Sequence, residues 1–185
     1  MNPILIGYFP KRTFRTPDWT KVTGVGEVCS VSNCMSRGPE GWIDRWLHND
    51  LCVYDSPGLA WSVVPEAVRE EYDLYAYRMY PWLFQKGRHR FEIPRLGVES
   101  LADSFGFLGV DAVSRSCGST FECSPLSCNG MAGRVAVNRH CLFDDVDAAF
   151  RWAAEFDAGA GEPGPYHVLE VWRDRRGAGR EMPAR

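Results

Sequence analysis

Two short segments of the chain carry the pattern Cys-Ser-x-x-x-Cys: Cys29-Ser30-Val31-Ser32-Asn33-Cys34 and Cys123-Ser124-Pro125-Leu126-Ser127-Cys128. This spacing constrains the backbone more than any other feature. In an extended strand the two thiols of each pair point to opposite faces. In a helix they stand well apart around the axis. Only a turn brings them together, and Ser32-Asn33 and Ser124-Pro125 supply turn-forming residues. If both turns close and meet, Cys29, Cys34, Cys123 and Cys128 form a candidate zinc site, bound as thiolates and tying distant segments together. The favoured reading is plainer: small apolar side chains packed at strand ends, with no cofactor. A reactive thiol or a regulatory disulfide ranks below both.

The chain holds seven cysteines, an odd count that cannot pair completely. Its first ten residues lack the basic start and the apolar length of a secretory signal. No stretch approaches the roughly 20 apolar residues of a membrane-spanning helix. These features predict a soluble, cytoplasmic protein with no membrane partner, where structural disulfides are unusual. Hydrophobic residues at 45% and charged residues at 24% give an ordinary globular balance. The net charge of −3 argues against a whole-surface grip on nucleic acid.

Periodicity predicts one domain over residues 1–173 and a polar, frayed tail over 174–185. The continuous apolar run at 4–9 and the largely apolar 166–172 read as buried strands, with further strands at 25–31, 109–113, 120–123 and 134–143 and a short one around 91–93. Short helices are expected at 38–47 and 99–105, and another over 145–156, capped by Asp144. The longest predicted helix starts near Pro65 and carries Tyr80 and Phe84 on a second face, kinked or ended at Pro81, because Val68, Tyr72, Tyr75 and Met79 recur at helical steps. Interleaved strands and helices point to an α+β or α/β fold, one mixed β-sheet with helices packed against it. No long repeat is evident in the sequence.

Common catalytic signatures are absent. Gly24-Val25-Gly26 opens like a dinucleotide fingerprint, but Cys29 stands where the third glycine belongs. There is no Gly-x-Ser-x-Gly elbow and no His-Glu-x-x-His pair. The residues that could still carry chemistry are Glu170, which interrupts an apolar strand, together with His167, His140 and Cys123. An enzyme built on them needs these groups to converge in a cleft at the sheet end.

Between Tyr72 and Arg95, aromatic side chains are interleaved with basic ones. Tyr77, Arg78, Tyr80, Trp82 and Phe84 form the candidate contact set, because Tyr, Trp and Arg dominate interface energetics. The leading expectation is therefore a small cytoplasmic protein that binds another protein through this stretch. The small enzyme is the alternative. A nucleotide or nucleic-acid binder, stacking bases on the same aromatics, comes third.

Overall fold

The computed structural model describes residues 2–15, 24–33, 38–115, 120–127, 131–160 and 164–175. Its strands are β1 (Ile4–Lys11), β2 (Phe14–Arg15), β3 (Glu27–Val28), β4 (Asp73–Phe84), β5 (Arg88–Arg90), β6 (Phe105–Ser114) and β7 (Tyr166–Asp174). Two α-helices, α1 (Pro57–Ser62) and α2 (Val146–Glu155), precede β4 and β7 respectively. The main sheet has five strands in the order β1-β4-β7-β6, with β5 beside β4, and β2 pairs with β3 separately. Every pairing is antiparallel, so the fold is α+β and the expected mixed sheet is corrected.

The two outer pairings have the same register. Gly7 of β1 faces Tyr77 and Gly109 of β6 faces Val171; stepping along each pair, Tyr8–Ala76 matches Val110–Glu170 and Lys11–Asp73 matches Val113–His167. Each outer strand is bulged immediately before its glycine. In the centre Tyr77 faces Val171, with Tyr75–Arg173 and Met79–Leu169 on either side. Exchanging β4 for β7 and β1 for β6 turns this pattern into itself. The sheet therefore has a pseudo-twofold axis through the Tyr77–Val171 pair.

The equivalence extends beyond the sheet. Asn49 Nδ2 donates to Ile6 O at 2.9 Å, and Asn138 Nδ2 donates to Leu108 O at 2.8 Å. Asn49 Oδ1 accepts from Leu51 N and Val53 N, as Asn138 Oδ1 does from His140 N and Leu142 N. Cys52 and Cys141, three residues after each asparagine, both take a positive φ. Tyr54 then bridges Tyr8, and Phe143 bridges Val110. Ser56 caps α1 through Leu59 N, and Asp145 caps α2 through Ala148 N. Ala60 and Ala149 take matching, fully buried positions. The chain is thus built of two equivalent units, each an outer strand, an asparagine-anchored turn, a capped helix and a central strand.

Several sequence expectations are corrected. Residues 73–84 are not helix but the long central strand, preceded by a 3-10 turn at Glu66–Glu71. Tyr75, Tyr77 and Met79 line one face of β4, and the steps that mimicked a helix arose because aromatic and apolar side chains occupy both faces. The expected helix at 38–47 is reduced to a 3-10 turn at Ile43–Arg45, and 99–105 is not helical. Neither 120–123 nor 134–143 forms a strand; the latter is occupied by the Asn138 turn. The cap of α2 is Asp145 rather than Asp144. Asp174 belongs to β7 and Arg175 N donates to Ser104 O at 2.9 Å; the rest of the tail expected over 174–185 lies outside the described residues.

One face of the sheet carries the described parts of both cysteine turns. Buried Asp111 accepts from Ser30 Oγ at 2.9 Å and Val31 N at 2.8 Å through one oxygen, and from Ser124 Oγ at 2.6 Å through the other. Ser30 and Ser124 each follow the first cysteine of their turn. Buried Lys11 donates its ammonium to the carbonyls of Ser30, Val31 and Ser32 at 2.7–2.9 Å. A buried anion and a buried cation thus hold the Cys29 turn from two sides. Cys29, Cys52, Cys123 and Cys141 are buried, while Cys34 and Cys128 lie outside the described residues, and with them the four-cysteine arrangement.

Candidate functional site

Strand alternation divides the candidate residues between the two sheet faces. Arg78, Tyr80 and Trp82 of β4, Glu170 and Trp172 of β7, and Phe107 of β6 share the face opposite the cysteine turns. Glu170 is their centre. Its carboxylate accepts from Arg78 Nη1 at 3.2 Å, Tyr80 Oη at 3.1 Å and Trp172 Nε1 at 3.1 Å. Burial and the neighbouring Glu170 push the Tyr80 hydroxyl up to about 12, so it stays a donor at all ordinary pH. Phe107 packs edge-on against Trp172 at 5.3 Å, yet 45% of it is open to solvent. Phe150 of α2 meets Tyr80 edge-on at 5.3 Å, and the Arg88 guanidinium lies 4.0 Å above the Trp82 ring.

Not all of the expected contact set is available. Tyr77 and Phe84 are buried at 1% and 2% exposure, because Tyr77 lies on the covered face and Phe84 packs beside Phe150. Tyr80 keeps only a small exposed edge, whereas Arg78 and Trp82 are part-exposed.

The expected catalytic group does not assemble. His167 stands three residues from Glu170 on β7 and so points to the other face. It is 2% exposed, its ring meets Phe91 at 4.8 Å, and its Nδ1 has no hydrogen-bond partner among the described residues. Cys123 is buried in the second cysteine turn, with its backbone bonded to Ser114. His140 is bonded to Glu27, not to Glu170.

His167 carries a pH signature. Burial, reinforced by the Arg115 charge, lowers its pKa from 6.5 to about 4. The unfolded chain binds the proton more tightly, so the stabilisation is complete above pH 6.5 and is lost as pH falls towards 4. The full span is worth about 3 kcal/mol. Urea unfolding at pH 7.5 and 4.5 should show the wild type losing about 2–3 kcal/mol more than His167→Leu. Parallel pH profiles for the two proteins would contradict the assignment.

A second cluster joins the two units; Cys29 and His140 were candidates in the sequence, but in separate groups, and Glu27 was not among them. Glu27 and Cys29 lie two apart in an extended segment and share a side. Glu27 N donates to Arg139 O at 3.2 Å and Cys29 N to His140 O at 3.1 Å, which brings the other unit's asparagine turn alongside. His140 Nδ1 then lies 2.6 Å from Glu27 Oε1, and Arg173 of β7 clasps both Glu27 oxygens at 2.8 and 2.9 Å. Burial alone would raise the Glu27 carboxyl, but the bonds and charges of His140 and Arg173 overcome it and hold the pKa near 2. Cys29 accepts from the Tyr75 hydroxyl at 3.5 Å, and burial pushes its thiol up to about 12. Behind them, Thr13 bonds both Tyr75 and Asp73, and Asp73 lies 3.9 Å from Arg173.

The only direct signals for this cluster were an acid and a thiol at alternate positions and a lone histidine far along the chain. No family model, curated protein or solved structure matches this chain.

Proposed function

We propose that the chain is a binding protein that docks another protein on the sheet face formed by Arg78, Tyr80, Trp82, Phe107, Glu170 and Trp172. The observation that carries this reading is the pairing of a half-open aromatic, Phe107, with a carboxylate that has already fixed its neighbours. Glu170 holds Arg78, Tyr80 and Trp172 in one arrangement before any partner arrives, which reduces the ordering cost of association. Trp, Tyr and Arg at the centre of a patch are the residue types that carry interface energy. The Arg78 side chain remains 33% exposed beside the carboxylate. A fitting partner lays an apolar side chain against Phe107 and Trp172 and offers an acceptor to Arg78.

A photoactivatable phenylalanine analogue at position 107 tests this in cells. A discrete cross-linked partner should form from position 107 and be absent when the analogue replaces Phe14, which is comparably exposed at 44%. Adding Arg78→Ala should weaken the adduct. No adduct from position 107, or the same adduct from both positions, would reject this surface.

A further inference from the structure

We propose that Glu27, Cys29 and His140 form a binding site for one divalent transition metal, zinc by the chemistry of the donors. A carboxylate oxygen, a thiol sulfur and an imidazole nitrogen can each offer a ligand atom here, and these atoms lie within 4.8 Å of one another. Oxygen, sulfur and nitrogen in one compact group match the zinc donor set, and an all-oxygen cation would not choose a thiol. Three protein donors leave a fourth position for water.

The surroundings are arranged as an outer shell. Backbone bonds from Cys29 N to His140 O and from His140 N to Asn138 Oδ1 fix the two donor segments relative to each other. Arg173 holds Glu27, and the Tyr75 hydroxyl donates towards the Cys29 sulfur. Such partners orient the ligands. The charges also balance: two positive charges on the metal meet one each on the Cys29 thiolate and Glu27, while Arg173 faces Asp73 at 3.9 Å. On binding, the Cys29 thiol gives up its proton to solvent, and His140 coordinates as the neutral imidazole through Nδ1 with its hydrogen on Nε2 in place of its bond to Glu27. Arg173 keeps the second Glu27 oxygen. Cys29 and Glu27 come from one unit and His140 from the other, so the metal would join the two units.

Cobalt(II) titration of the reduced, chelator-stripped full chain tests the site. Thiolate-to-cobalt charge-transfer absorption should saturate at one equivalent and be displaced by zinc. Cys29→Ser should abolish that absorption. His140→Gln and Glu27→Gln should each weaken binding on the order of 100-fold or more, whereas Cys34→Ala with Cys128→Ala should leave it unchanged. If Cys29→Ser fails to fold, the His140→Gln and Glu27→Gln affinities decide the matter. The proposal is overturned if the folded wild type gives no thiolate band, if affinity survives both of those substitutions, or if the band vanishes with Cys34 and Cys128.

Discussion

Asp111→Ala is expected to cost about 3–5 kcal/mol of folding stability, a large share of what a domain this size has in total. Asp111 is fully buried on β6 and receives three donors: Ser30 Oγ, Val31 N and Ser124 Oγ. Removing the carboxylate strands all three away from water, and each buried donor left unmatched carries most of its desolvation penalty. The loss is larger than for an ordinary core truncation because one carboxylate anchors a turn from each unit. Lys11 adds to it, since its ammonium lies on the carbonyls of the same Ser30–Ser32 turn and would face the loosened segment. Asp111→Asn should fall between wild type and alanine, keeping an acceptor for one side and presenting a clashing donor to the other. Denaturant titration at pH 7 measures the difference. A loss under about 1 kcal/mol would mean that the two turns do not depend on Asp111.

Much of the framework was legible because its elements obey local rules. The first strand opens on an unbroken apolar run, the last is an apolar run interrupted chiefly by Glu170, and α2 has a helical apolar stripe with an acidic cap. β4 was not legible for a physical reason. Tyr72, Tyr75 and Met79 satisfy a helical step, but Tyr75, Tyr77 and Met79 equally satisfy the strand step. A central strand with aromatic and apolar side chains on both faces shows no clearly polar side to decide between them.

The repeat escaped notice because few residues state it. Gly7 and Gly109, Asn49 and Asn138, Cys52 and Cys141, and Asp55 and Asp144 are shared, but the loops between them differ in length. Glu170 was visible as a carboxylate interrupting an apolar strand, and its three-donor setting resolves that anomaly. The Glu27–Cys29–His140 cluster had no such marker, since its members meet only through pairing between the two units.

That pairing of equivalent units positions everything else, and a matched pair of substitutions at Gly7 and Gly109 tests it. Gly7 has φ +148° and a Cβ there would sit 2.7 Å from Tyr54 O and 2.7 Å from Val53. Gly109 has φ +150° and its Cβ would sit 2.8 Å from Phe143 O and 2.8 Å from Leu142. The two glycines thus meet corresponding residues: a backbone carbonyl that cannot swing aside, from Tyr54 or Phe143, and the side chain of the residue before it. Strain at that φ and the overlap together should cost about 2–5 kcal/mol at each site. Gly7→Ala and Gly109→Ala are expected to lose stability equally, to within about 1 kcal/mol, each unfolding in a single cooperative transition. A silent substitution at one glycine and a costly one at the other would contradict the twofold equivalence of the units.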